Sequence, residues 1–487
     1  MSRRASVLGL WAAASAAGLG LSGCASAPES SLPAVQQAVA ARSNVAVAWP
    51  QTEAERSARD NAVRRLLASD LTADSAVAVA VLNNAQLQAT FEDIGLSQAE
   101  LFAAGRLHNP VLFASTRWSD SRPRGPDAEF SLTADLLDDF FIPLRQRLAR
   151  TEVAAAENRV ARAVLDLAAE VRAAVYTLQA RQMLERRVQS IGDANDAASD
   201  LAQRQFDAGN ISRLTLAQNQ SAAQSAHLDL LRAQTQVALG RETLNRLLGL
   251  SDQTGVVPSG VERDLPAPRS LGEGGPARWN LASDLPPLPT EDPLPPDLEA
   301  RALAQRLDLA AAQADFVVAQ QAYDLRRKTR FAPGGINAGV DTERNPDGSR
   351  VTGPQVSLGL PLFDQGQADL ARLGSEVRRT RDRYEAKRAE VAAEVRMARA
   401  TLQSARGVSD YYTRTVLPQQ QLILRETLLH YNAMQKSGYE LLLAKESQLL
   451  AEREGIEALR DYWIARTELE RAAGGALTGP IHPAPLP

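Results

Sequence analysis

Glu170-Val171-Arg172-Ala173-Ala174-Val175-Tyr176-Thr177-Leu178-Gln179 returns 224 residues later as Glu394-Val395-Arg396-Met397-Ala398-Arg399-Ala400-Thr401-Leu402-Gln403, identical at seven of ten positions. Ile142-Pro143-Leu144 pairs with Leu360-Pro361-Leu362, and Phe206-Asp207-Ala208 with Tyr431-Asn432-Ala433, at nearly the same spacing. Alanine-rich helices coincide by chance, but three collinear matches point to duplication. Each half then has one order: a helix (75–106; 298–330), a turn-rich strand pair, and a long helical hairpin.

The hairpins carry a narrow apolar stripe. Leu370, Leu373, Val377, Thr380, Tyr384, Val391, Val395, Ala398 and Leu402 recur in alternating three- and four-residue steps, as do Val160, Val164, Leu167, Val171, Val175 and Leu178. Such heptads, with charges on the other faces, fit coiled-coil packing rather than burial in a globular core. Residues 369–435, about 66 in number, would form a helix ~100 Å long, more than a globular domain needs. Pro418 removes one helical hydrogen bond, so a bend is expected at Leu417-Pro418.

Four segments alternate instead. Val356, Leu358, Leu360 and Leu362 oppose Gln355, Ser357, Gly359 and Pro361; Phe130, Leu132, Ala134 and Leu136 oppose Ser131, Thr133 and Asp135. Ile336, Ala338 and Val340 alternate with Asn337, Gly339 and Asp341, and 111–118 supplies a fourth, less regular strand. They pair as hairpins across the polar loops 119–127 and 345–350. An apolar face outside and a polar face toward a lumen is the pattern of a transmembrane barrel wall, although two soluble hairpins would alternate in the same way. Asp135 fits either a lumen position or a strand end. Four strands cannot close a barrel, which takes about eight, so several chains must contribute; three copies give twelve.

The N-terminus favours the membrane. Arg3 and Arg4 precede a short apolar stretch, 7–21, read as a signal peptide (1–23). It ends in Leu21-Ser22-Gly23-Cys24, which resembles the lipobox of bacterial lipoproteins, and Ala25 in place of aspartate implies sorting to the outer membrane. Cys24 is the single cysteine of 487 residues, so it supports neither an internal disulfide nor a thiolate cluster, and lipid attachment is the remaining use. A net charge of −4 argues against a nucleic-acid partner, and 23% charged with 5% aromatic residues is a long-helix composition. No later segment reaches the roughly 18 apolar residues of a membrane helix.

The domain plan is therefore a lipid-anchored tether (24–70), a first repeat (71–250; strand pair 111–141, hairpin 145–248), a Pro/Gly-rich linker (251–297) with ten of the 26 prolines, a second repeat (298–473; strand pair 334–363, hairpin 367–473) and a tail (474–487). The linker is expected to pack on the outside, and the flexible tether to pass into a polar helical stretch around Glu53 to Leu67.

This plan, together with Ala104-Gly105-Arg106-Leu107-His108-Asn109-Pro110 before the first strand and Leu360-Pro361-Leu362-Phe363-Asp364-Gln365-Gly366-Gln367 after the fourth, resembles the TolC-type outer-membrane efflux factors over residues 71–473. The resemblance implies a mainly α fold with a small β part: coiled-coil hairpins forming a trimeric α-barrel, joined to a 12-stranded transmembrane β-barrel with four strands per chain. It also implies an outer-membrane exit duct working with a periplasmic adaptor and an inner-membrane pump, for drugs, metal ions or other solutes. The segment 204–215 resembles the family's first hairpin tip, with Gly209 permitting the turn and Ser212 capping the returning helix; the second tip is 431–442, where Met434 holds the glycine position and Gly438 follows. Glu440 matches the family's pore-narrowing acid, with Arg213 a candidate partner; either could instead be a solvated surface charge.

Enzyme readings find no support. His108, His227, His430 and His482 stand in no metal-ligand spacing and beside no nucleophile motif, and there is no phosphate loop. No cofactor or metal is expected; His430 and Met434, four apart, read as ordinary hairpin surface. The rival reading is a lipid-anchored periplasmic coiled-coil scaffold that never crosses the membrane, for which amphipathic strands would have no use.

Overall fold

The computed structural model describes residues 31–118, 126–250, 279–330, 336–360 and 362–477. The expected signal peptide, Cys24, most of the first polar loop, Pro361, the first part of the linker and most of the tail lie outside these residues.

The duplication is built in equal lengths. The first repeat has α3 (Ala73–Asn83), α4 (Ala85–Ala104), β1 (Val111–Trp118), β2 (Pro126–Asp135), a short α5 (Leu136–Phe140), the 66-residue α6 (Ile142–Asp207) and the 36-residue α7 (Arg213–Leu248). The second has α8 (Leu298–Gln305), α9 (Leu307–Thr329), β3 (Ile336–Arg344), β4 (Arg350–Leu358), α10 (Gln367–Tyr411), a π turn (Tyr412–Val416), α11 (Leu417–Asn432) and the 36-residue α12 (Gly438–Ala473). At 1.5 Å per residue α6 is ~100 Å long, so each hairpin tip stands that far from the sheet. Among the described residues no helix is long and apolar enough to cross a membrane.

The heptad stripes form the core. Val160, Val164, Val171, Val175 and Leu178 are fully buried, as are Val391, Val395 and Leu402 within a few per cent. Their helices pack α6 on α7 and α10 on α12, with α9 between α6 and α10. Tyr176 and Trp463, 5.5 Å apart, join the two repeats.

Two expectations are corrected. The single opening helices are each broken, at Asn84 and Arg306, because those residues close their repeats. Asn83 and Asn84 donate their side-chain amides to the carbonyls of Leu248 (2.9 Å), Gly249 (3.0 Å) and Leu247 (2.9 Å), the orphan end of α7. Gly249, at φ 69°, lets the chain turn there, and a Cβ would lie 2.5 Å from the Asn83 carbonyl. In the second repeat Arg306 reaches the Ala472 carbonyl (3.4 Å) beside Gly474 at φ 83°, so the same closure is made with a charge. Burial opposes the Arg306 guanidinium, and its bonds to Asp308 and Glu394 outweigh that and hold its proton more firmly.

Second, Leu136 opens α5, and β4 stops at Leu358, so Leu136, Leu360 and Leu362 are not strand residues; the strand pairs are shorter than 111–141 and 334–363. At Leu417-Pro418, where a bend is expected, the helix widens into a π turn immediately upstream, at the point where the ring would otherwise strike the Arg414 carbonyl. The described parts of the tether and linker each place side chains in the core, and the polar helical stretch around Glu53 to Leu67 is a helix. The helices α1 (Leu32–Ala40) and α2 (Glu53–Leu67) bury Val35, Val39 and Val63, and Trp279 of the linker is 2% exposed under Arg241, its indole donating to Asn245 (2.9 Å).

Candidate functional site: a polar sheet face and two hairpin tips

The strands form one antiparallel sheet in the order β1-β2-β3-β4. Residues directly opposite share a face, so the register sorts every side chain. One face holds Leu112, Phe130, Leu132, Ala134, Ile336, Ala338, Val340, Val356 and Leu358. The other places Ser131 opposite Asp341, Asp135 opposite Asn337, and Glu129 opposite Glu343, with Asp127 opposite Arg117. Asp135 thus belongs to the polar face. That face carries Asp127, Glu129, Asp135, Asp341 and Glu343 against Arg117 alone among the described strand residues, although Val111, Phe113 and Val351 interrupt it.

Glu129 is held by Arg117 (3.3 Å) and Ser115 (3.4 Å), whereas no ion pair or hydrogen bond joins Glu343 to any described residue. Two glutamates directly opposite repel, so this face is shaped for something other than sheet stability. A closed wall with that face inward lowers the energy of cations along its axis.

The two tips are built alike, 225 residues apart. At the first, Gly209 takes φ 76°, Asn210 N–H reaches back to the Gln205 carbonyl (2.8 Å), and Ser212 accepts from Thr215 N–H (3.1 Å) to start α7. At the second, Met434 takes φ 57°, Gln435 N–H reaches the His430 carbonyl (2.9 Å), and Ser437 accepts from Glu440 N–H (3.3 Å). Met434 therefore occupies the left-handed position that glycine fills in the first tip, the position the resemblance gives it. It is 94% exposed. Gly438 makes no turn; it is the first residue of α12 and has no positive φ.

Glu440 closes a capping box on Ser437 N–H (2.9 Å) and pairs with Lys436 (3.2 Å). The Ser437 backbone bond first, then Lys436, holds its carboxyl below the ordinary value. The structure does not bring Arg213 to Glu440: Arg213 opens α7, and no ion pair to it exists among the described residues. His430 Nδ1 lies 2.6 Å from Gln435 Oε1, a bond within the turn. No group of three metal-binding side chains occurs among the described residues.

Sequence reasoning missed the equator, where α12 meets α6. Asp292, from the linker, takes Tyr462 Oη (2.6 Å) and Arg466 (2.5 Å), and Glu470 lies near Arg466 (3.8 Å) and Arg172 (3.9 Å). Burial raises the Glu470 carboxyl above its ordinary value even with two arginines near it. These side chains converge from three distant segments, which leaves no local sequence signal.

Residues 298–475 match the family profile described as "Outer membrane efflux protein". The chain is 24% identical over 419 residues to the cobalt-zinc-cadmium resistance protein CzcC of Cupriavidus metallidurans, covering 84% of this chain and 91% of that protein. Its fold is similar to that of CusC in a structure of transmembrane channel formation (TM-score 0.64, 18% identity, 84% of this chain and 93% of that one). The outer membrane protein VceC of Vibrio cholerae is similar too (TM-score 0.63, 15% identity, 87% and 97%).

Proposed function

We propose that this chain, whose fold is similar to that of outer-membrane channels and whose residues 298–475 match the outer membrane efflux protein profile, is the exit duct of a tripartite efflux system whose cargo is cationic, metal ions foremost. It is a channel and not an enzyme. The observation that carries the cationic cargo is the polar sheet face, five carboxylates to one arginine; the similarity to a metal-resistance protein points the same way.

Three copies would place four strands each in a twelve-stranded barrel and set their hairpins side by side as a tube ~100 Å deep. Cys24 would tether each copy to the outer membrane by acyl chains, each methylene adding about 0.8 kcal/mol. The tips at Gly209–Ser212 and Met434–Gly438 would lean inward at rest, with Glu440 narrowing the entrance and Arg213 free to reach a neighbouring copy. An adaptor bound to the tips, with an inner-membrane pump behind it, would open them.

The test is the mass of the detergent-extracted protein together with its conductance in a planar bilayer. A trimer with discrete steps, small at rest and cation-selective, is expected. A monomer that never inserts would leave the anchored scaffold as the reading.

A further inference from the structure

We propose that Arg344 and Arg350 form a binding site on the lipid-facing side of the barrel for the phosphate groups of anionic outer-leaflet lipid. The two arginines are directly opposite each other on β3 and β4, exposed, and on the apolar face. Like charges in that relation destabilise a sheet unless something anionic lies between them. Neither has a carboxylate within ion-pair distance among the described residues, and the outward-face positions of all four strands hold no Asp or Glu. No neighbouring strand of another copy, paired in the same alternation, could therefore neutralise them. Asp347, in the intervening loop, is engaged by Ser349 N–H (2.8 Å) and its hydroxyl (2.6 Å).

Position identifies the partner. From Ile336 to Arg344 the strand rises ~26 Å, or ~20 Å along the membrane normal at a tilt of about 40°. Below it the exposed Leu360, Leu362 and Phe363 extend the apolar surface toward the ~25 Å band of a transmembrane barrel. Above it, one row beyond Arg344, Trp118 stands 77% exposed on the same face, where an indole marks a membrane boundary. The arginine pair is thus at headgroup height, and paired guanidinium forks match phosphate oxygens.

The inference rests on the barrel reading, and one measurement separates the two. Trp118 is the only tryptophan on the described sheet, so quenching of tryptophan emission by brominated lipid reports contact there. The trimer is reconstituted with brominated phosphatidylglycerol or brominated phosphatidylcholine. Phosphatidylglycerol should be preferred by about five-fold for each arginine. Arg344→Gln with Arg350→Gln should abolish the preference, Lys at both positions should keep part of it, and Arg117→Gln on the lumen face should leave it intact.

Equal quenching by both lipids, or a preference unchanged in the double variant of trimeric mass, overturns the site. Loss of the preference in 10 mM inorganic phosphate at matched ionic strength would make it a free-anion site and overturns the lipid assignment. Absence of quenching by either lipid would overturn the barrel reading itself.

Discussion

Glu343→Gln should weaken cation selectivity by an amount the geometry fixes. Twelve strands about 4.8 Å apart and tilted about 40° put the barrel backbone about 12 Å from the axis, and a glutamate carboxylate about 7 Å from it. In water with a screening length of about 8 Å, each such charge lowers the energy of a monovalent cation on the axis by ~0.25 kcal/mol. Three copies of Glu343 give ~0.7 kcal/mol, a three- to four-fold enrichment of cations at that level. Glu343 is the suitable position because nothing described pairs with it, whereas Glu129 is already compensated by Arg117. The assay is the reversal potential of single channels in a tenfold KCl gradient. The variant should move toward the value for equal permeability, and Arg117→Gln should move the other way. A reversal potential unchanged in both would refute the inward placement of the polar face.

At the tips, Glu440→Ala removes both the capping box and the pairing with Lys436, and resting leak conductance in bilayers should rise; an unchanged closed-state current removes Glu440 from the gate. At the equator, burial holds the folded-state affinity of Glu470 for its proton above the ordinary 4.5, so its ionisation costs stability as pH rises through that raised value. Glu470→Gln should therefore raise the melting temperature at pH 7, with the gain shrinking below about pH 4.5, since Arg466 keeps Asp292 and Arg172 keeps Asp74. A variant less stable at pH 7 would show that the two arginines depend on Glu470.

The sequence by itself determined the repeat, the heptad stripes and the alternating strands, because these follow from local periodicity. Val171 and Val395 stand at matching positions of a 3.5-residue pattern, and the fold buries both. It also placed the first tip, since Gly209 and Ser212 are turn and cap residues by their own chemistry. Tertiary structure decided what depends on distant segments meeting. The register of β2 against β3, more than 200 residues apart, faces Glu129 with Glu343, and neither segment encodes that alignment alone. The closures at Asn84 and Arg306 were hidden because the carbonyls they satisfy belong to the far end of another helix. That Met434 stands in glycine's place came from the resemblance, whereas its left-handed backbone angle, closed by Gln435 N–H on the His430 carbonyl, belongs to the folded turn.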